Sequence, residues 1–389
     1  MKEPMATIAE RNRVVDRIIA ALDERLSFLI VGHTVPDEDC LSSMVGFALL
    51  AKKFAKSATL LLEGAVHDNF EYLLRICKYN AIDVAYALSE IPDYDTIVVC
   101  DTAKPALLAR CEGIREAIES RVELVIEVDH HLESDSRYHA DRAYALVDRA
   151  TSSSELVGIV AYKLTHKRDF LDERHLPEIF TRNLVLSILT GIVGDTQMGK
   201  FLQDRKERRM YHAFTVVFGS LLNEKTTRRG HNYASVEQLF GELQKLSKRE
   251  EQCFDAIFAM RRKKDAVGYV YLDGENYARL LTEYGDDALS TVLRTVADTL
   301  AEESGFVSLV VFSGRPKGSE LVQCRARRSK RYKDIDLRDV LSRFGIENGG
   351  GHQGAVGFRV PIAQIEDTEK FVDELVDGIN SMVAEATPL

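Results

Sequence analysis

The 389-residue chain has no apolar run approaching the ~20 residues that a membrane-spanning helix needs. Its first residues, Met1-Lys2-Glu3-Pro4, lack the basic head and apolar core of a secretory leader. The six cysteines (Cys40, Cys77, Cys100, Cys111, Cys253 and Cys324) are scattered, with no C-x-x-C pair. A disulfide framework and thiolate-held structural zinc are therefore not expected, and a reduced, cytoplasmic protein is the natural reading. Positive charge is also scarce, with 51 Lys and Arg against 61 Asp and Glu and a formal net charge of −10. A surface for long duplex nucleic acid needs a broad basic face, so none is expected. A local basic pocket for a small anion remains compatible, and the run Arg325 to Lys333 is its candidate, although such runs are more often solvated faces. No internal repeat or low-complexity segment is present.

What the chain does have is ordinary globular composition, 45% hydrophobic and 29% charged, and a regular alternation of elements. Apolar residues at helical spacing predict a helix over Ile8 to Leu26, and others over Ser42 to Lys53, Lys104 to Ile118 and Thr181 to Ile192. Short apolar runs predict strands at Leu26 to Val31, Thr59 to Leu62, Asp95 to Cys100, Val122 to Val128 and Ala143 to Val147. Thr151-Ser152-Ser153-Ser154-Glu155 has the form of a capping box for a further helix. Strands alternating with helices imply an α/β fold with a doubly wound, mostly parallel sheet. Residues 1–204 form the expected first domain, and 205–262, charged and helically periodic, a helical linker. Residues 263–389 form a smaller α/β domain, with strands at Ala266 to Leu272, Val307 to Phe312, Glu320 to Arg325 and Ala355 to Val360. Its expected helices are Asp287 to Glu302 and Leu337 to Phe344.

In a doubly wound sheet, ligands lie beyond the carboxyl ends of the strands. His33, Asp37, Asp39, Asp101, Asp129 and His130 all fall at such ends, and Asp195 closes a helix in the same half. Each has a plainer explanation alone: a cap for Asp39 or Asp195, a turn for Asp101, a satisfied imidazole for His33. Their coincidence at one edge of one sheet favours a metal site. Leaving Asp129 aside, the two imidazoles and four carboxylates of His33, Asp37, Asp39, Asp101, His130 and Asp195 exceed the needs of one ion, and a nitrogen–oxygen set without thiolate suits Mn²⁺, Mg²⁺, Co²⁺ or Zn²⁺. In the second domain, Gly349-Gly350-Gly351-His352 between a helix and a strand could expose backbone N–H groups to an anion, with Arg325 ending a nearby strand. A bare glycine triplet is equally a flexible stop.

These residues resemble the DHH phosphoesterase superfamily. His33-x-x-Pro36-Asp37-x-Asp39-x-x-Ser42-Ser43, Asp101-Thr102, Asp129-His130-His131 and Gly191-Ile192-x-x-Asp195-Thr196 are similar to its successive motifs. Gly349 to Gly357 is similar to the signature of the DHH-associated substrate-binding domain, and length and plan resemble most the bacterial nanoRNase/pAp phosphatase group, which is RecJ-like. The resemblance implies two divalent ions, manganese being the usual cofactor. One would take His33, Asp37 and Asp101, the other Asp39, Asp101, His130 and Asp195, with Asp101 bridging. Asp129 would orient an imidazole, and His131 would stand beside the scissile phosphate as stabiliser or proton donor. Arg325, Gly349, Gly350, Gly351 and His352 would hold the substrate's remaining phosphate and base. The chain departs from the family pattern at Glu38, Leu132-Glu133 and Asn348.

The implied activity is hydrolysis of very short RNA to nucleoside monophosphates, with dephosphorylation of pAp beside it. The alternative is a cyclic-di-AMP or pApA phosphodiesterase. A catalytically silent nucleotide-binding regulator is disfavoured by the intact ligand set, and a pyrophosphatase or polyphosphatase by the glycine signature. The expected partners are short RNA or nucleotide substrates and no membrane, and 205–262 either sets the width of the cleft between the domains or forms a surface for a homodimer.

Overall fold

A computed structural model describes residues 1–64, 66–86, 94–108, 113–132, 136–176, 178–199, 202, 205–229, 232–313 and 321–386. The chain divides into two compact units, Met1–Lys245 and Leu246–Leu389.

The first unit holds six strands: β1 (Ser27–Val31), β2 (Ser57–Leu61), β3 (Asp83–Ala85), β4 (Thr96–Cys100), β5 (Leu124–Asp129) and β6 (Ala145–Val147). They lie in the order β3-β2-β1-β4-β5-β6, and every neighbouring pair is parallel. The sheet is doubly wound as expected from the alternation, and β3 is the edge strand that the pattern did not reveal. Alternate residues explain its two-sided burial. Phe28, Ile30, Val98, Cys100, Ile126 and Val128 pack on one face, while Leu29, Val31, Leu61, Ile97 and Val99 pack on the other. The chain order reverses between β1 and β4, which is the switch point where such sheets leave a crevice.

Among the described residues, the helices of this unit longer than six residues are α1 (Ile8–Glu24), α2 (Glu38–Lys53), α3 (Glu71–Tyr79), α4 (Ser153–Thr165), α5 (Arg182–Asp195), α6 (Arg205–Lys225) and α7 (Val236–Leu243). α2 is buried on every side from Asp39 to Ala51, so it runs through the middle of the helical layer. It starts four residues before the expected Ser42 because Asp37 caps it, accepting from the N–H groups of Asp39 and Cys40 at 3.1 and 3.0 Å. The single helix expected over Lys104 to Ile118 is instead a 3₁₀ turn, Pro105–Leu107, and helical turns from Ile114, with 109–112 outside the described residues. Pro105 and Gly113, the latter at φ +80°, punctuate it.

The second unit carries β7 (Arg262–Lys264), β8 (Val267–Leu272), β9 (Val307–Ser313), β10 (Leu321–Arg328), β11 (Gly349–His352) and β12 (Ala355–Pro361). The sheet order is β11-β12-β10-β9-β8-β7, with β8 and β9 parallel and the other pairs antiparallel. Its helices are α8 (Lys248–Phe258), α9 (Gly274–Tyr284), α10 (Asp286–Ser304), α11 (Arg338–Arg343) and α12 (Thr368–Ala386). Glu320, the expected start of a strand, lies outside the described residues, as do 203–204 at the expected domain edge. Among its described residues, segment 205–262 carries the three helices α6, α7 and α8 before β7, and they divide between the units. Phe218, Leu222, Leu239 and Leu243 join the first core, whereas Cys253 and Ile257 join the second. No helix among the described residues is long and apolar enough to cross a membrane.

Because Leu222 is fully buried in the first core, Leu222→Ala should cost about 2–5 kcal/mol of that unit's stability. Denaturation followed by hydrogen exchange should show the loss in 1–245, with protection of β8 to β10 unchanged.

Candidate metal and phosphate site

Four chain segments deliver polar groups to the carboxyl edge of the first sheet. Asp101 follows β4 with φ +49°, a left-handed conformation that asparagine and aspartate tolerate better than most residues. Its side chain is 3% exposed. Oδ2 lies 3.7 Å from His33 Nε2 and Oδ1 lies 3.5 Å from His130 Nε2, one oxygen toward each imidazole. His33 Nε2 is also 3.7 Å from Asp37 Oδ1. His130 Nε2 is 3.8 Å from Asp39 Oδ2 and 3.9 Å from Asp195 Oδ2. All six expected ligands therefore converge. These separations are too long for hydrogen bonds, and they suit pairs of atoms sharing an ion at bonds of about 2.0–2.2 Å.

Helix packing sets the rest. Asp39 is buried beneath the N-terminus of α4, accepting from Ser153 N at 2.6 Å and Ser154 N at 2.9 Å. Ser153 Oγ donates to Asp101 Oδ1 at 2.9 Å. The expected capping box is present in altered form: Ser152 accepts from Glu155 N, while the Glu155 carboxylate accepts from Thr151 rather than from the cap residue. Gly191 permits α5 to come this close, since a Cβ there would meet Ser154 Oγ at 2.2 Å and Asp39 Oδ1 at 2.4 Å. At Gly194 a Cβ would meet Glu38, the departure between the paired aspartates. Burial, then the charges of Asp37 and Asp39, push the Glu38 carboxyl up.

The electrostatics point to missing positive charge. Burial and the neighbouring Asp39, Asp37 and Asp129 push Asp101 well above the usual carboxylate range. Asp195, although 37% exposed, is pushed up to about 7 by lost solvation and by Asp39. Burial and Asp101 raise the Cys40 thiol, which lies beside His33 and Asp101, well above the ordinary thiol value. A nitrogen–oxygen donor set with surplus negative charge fits a hard or borderline divalent cation.

Asp129 accepts from His131 Nδ1 at 2.8 Å, so the imidazole it orients is His131. His130 Nδ1 instead faces the Ala150 carbonyl at 3.4 Å. Burial works against the Asp129 charge, but the His131 hydrogen bond and the Lys2 ammonium outweigh it and hold the group below its usual range. Lys2 and Glu127 are residues the motifs did not reveal. Lys2 is 1% exposed, with Nζ 2.7 Å from the Thr102 carbonyl and bonded to Asp129 Oδ2. It is 2.7 Å from Glu127 Oε1, an ion pair outside hydrogen-bond geometry, since that oxygen accepts no hydrogen bond. His139 completes this buried group, with Nε2 3.1 Å from Thr102 O and its N–H donating to Glu127.

In the second unit, the glycines expected as an exposed nest are an edge strand, β11, antiparallel to β12 with Gly350 opposite Gly357. The close pairing explains the composition. A Cβ on Gly349 would meet Phe358 Cβ at 2.7 Å, and one on Gly351, at φ +147°, would meet Ala355 O at 2.1 Å. Arg325, Gly349, Gly350 and Asn348 line a cavity of about 320 Å³ with Phe312, Gln323, Gly357 and Arg359. Gly351 does not line it, and the side chain of His352, like Glu133, lies outside the described residues. Arg359 is a residue that the glycine signature misses. The register Cys324↔Phe358 and Arg325↔Gly357 puts it opposite Gln323, two residues from Arg325 and on the same face. Burial, Arg294 and Arg327 all lower the Arg325 value, and among the described residues no carboxylate pairs with it. Two other arginines of the basic run are committed elsewhere: Arg327 pairs with Asp298, and Arg328 donates to the carbonyls of Lys333 and Ile335.

Comparison with known proteins places both units among known domains. A model of the "DHH family, N-terminal domain" matches residues 27–192, and one of the "DHHA1 domain" matches 277–378. The chain thus carries a DHH domain followed by a DHHA1 domain. It is 24% identical over 385 residues to the cyclic-di-AMP phosphodiesterase GdpP of Geobacillus thermodenitrificans, covering 94% of this chain and 50% of the relative. It is also 24% identical over 388 residues to the cyclic-di-AMP phosphodiesterase PdeA of Listeria monocytogenes, covering 95% and 51%. The chain thus spans about half the length of the curated relatives it matches. The crystal structure of an exopolyphosphatase-related protein from Bacteroides fragilis shares the fold at a TM-score of 0.50 and 14% identity, over 95% of this chain and 97% of that one.

His139 gives a pH test of the buried group beneath the DHH motif. Burial and Lys2 push its imidazole down to about 4 from an ordinary 6.5. Above pH 6.5 the ring is neutral in both states and its contribution to stability is intact. As pH falls from 6.5 to 4 the unfolded chain takes the proton first, so stability is lost over that window. In chelator-treated protein, His139→Gln should flatten the fall of Tm between pH 6.5 and 4 relative to wild type.

Proposed function

We propose that the chain is a divalent-metal-dependent phosphodiesterase acting on short nucleotides. The observation that carries this reading is Asp101, a buried carboxylate with one oxygen toward each of His33 and His130. His33, Asp37 and Asp101 would hold one ion, and Asp39, Asp101, His130 and Asp195 the other, with Mn²⁺ as the expected metal. When bound, such ions polarise a phosphoryl oxygen and generate a nucleophile from water at neutral pH. The chain's own part is to fix the donors. α4 holds Asp39 through its N-terminal N–H groups, and Ser153 holds Asp101. Asp129, kept anionic, orients His131, which stands 3.6 Å from Asp101 as stabiliser of the phosphate or proton donor to the leaving oxygen. Arg325, Gly349 and Gly350, with Gly351 and His352 implied by the family signature, would bind the part of the substrate not being cleaved. Arg359 supplies a second cation for its phosphate.

A small dinucleotide, cyclic-di-AMP or its linear product pApA, is the substrate that the two relatives support, because each aligns with nearly the whole chain. Very short RNA and pAp form the second reading, favoured by Arg325 and Arg359 at one small cavity suited to a single terminal phosphate. Pure protein with Mn²⁺ should be offered cyclic-di-AMP, pApA, pAp and RNAs of two to five nucleotides. Cleavage of cyclic-di-AMP or pApA ahead of every other substrate is expected, and faster release of monophosphate from tri- to pentanucleotides would favour the second reading. Hydrolysis of none of them would sink both.

Asp101→Asn keeps a residue suited to the left-handed backbone while removing the charge. Both Asp101→Asn and Asp101→Ala should reduce turnover to the uncatalysed background and weaken Mn²⁺ binding measured by calorimetry. Substantial turnover in either would refute the ligand assignment.

A further inference from the structure

Lys2 is the least expected group near the site. A lysine ammonium is almost never fully buried without partners, yet this one is 1% exposed and reaches three groups on two different strand ends. The Thr102 carbonyl belongs to the turn that follows Asp101, and Asp129 belongs to the end of β5. Glu127, one pleat earlier on β5, completes the set, and the Lys2 backbone N–H donates to Ser136 Oγ at 2.9 Å. The groups facing the ammonium are therefore two carboxylates, one carbonyl and the His139 ring, whose imidazole burial and Lys2 push down to about 4. Asp129 uses its two oxygens differently: Oδ2 toward Lys2 and Oδ1 toward His131 Nδ1.

We infer that Lys2 is a positioning residue, a charged strut beneath the site that ties the turn after Asp101 to the end of β5 and fixes Asp129 as acceptor for His131. It touches no expected metal ligand and acts through Asp129. Its charge also offsets one of the two buried carboxylates below the site. The kinetic part of this inference rests on the hydrolytic reading above, whereas the bond from His131 to Asp129 can be observed without turnover or metal.

The test compares Lys2→Met with wild type in two measurements. In chelator-treated, ¹⁵N-histidine-labelled protein, the Nδ1–H resonance of His131, assigned by its loss in His131→Gln, should be present in wild type and lost or displaced in Lys2→Met. In the metal-loaded enzyme, kcat should fall at least tenfold with KM within twofold. When Asp129 is already changed to Asn, Lys2→Met should cost less than a further twofold, because both act through one bond. An unchanged His131 resonance, or a full tenfold loss added on top of Asp129→Asn, would overturn the inference. Should the apolar side chain prevent folding, Lys2→Arg, which keeps the charge in a bulkier head, is read on the same measurements with a displaced resonance expected. If wild type hydrolyses no nucleotide, the functional reading fails and the resonance alone decides the role of Lys2.

Discussion

Everything in the first unit answers to one constraint: several carboxylates are buried at the carboxyl edge of an apolar sheet. Asp39, Asp101, Glu127 and Asp129 are each at most 2% exposed. In such surroundings, like charges a few ångströms apart cannot persist without compensation. The structure supplies part of it from two directions. The N-terminus of α4 presents N–H groups to Asp39, and Lys2 closes from below on Glu127 and Asp129. Asp101 and Asp195 are left with raised proton affinity. A bound cation would lower it, so a divalent ion at this edge would serve the electrostatics of the fold as well as the proposed chemistry.

Topology decides where that charge gathers. With strand order β3-β2-β1-β4-β5-β6, the loops after β1 and β4 leave the sheet in opposite senses. His33 and Asp37 follow β1, Asp101 follows β4, and His130 follows β5, so three adjacent strands feed one crevice. α2 and α5, packed closely through Gly191 and Gly194, bring Asp39 and Asp195 to it from the helical layer. The parallel sheet provides the edge, and the glycines set how near the helices come.

Much of this was legible in the chain because the signals were local. Apolar runs ending abruptly in Asp or His marked β1, β4 and β5 with their ligands, and periodicity marked α2 and α5. Lys2 left no such mark, since its partners lie 100 to 127 positions away and a lone lysine reads as solvated. Glycine hid β11 for a different reason: strand patterns are written in side chains, and three glycines have none. Arg359 could be placed only once the β10–β12 register was known. For 205–262, periodicity gave a buried face but not the core it faces, and α6 and α8 turned out to serve different ones.

The ends of the two sheets carry a last consequence, for self-association. An open strand edge is a template for another chain unless it is short, covered or charged. The first sheet ends in three-residue strands on both sides, and β6 is buried along its whole length. The second ends at one side in β7, whose Arg262-Lys263-Lys264 are all exposed and would repel an identical edge. At its other side is β11, short but without charge on its glycines. Gly349 and Gly350 of that strand line the Arg325 cavity, so a phosphate received there would lie against the strand least able to protect itself.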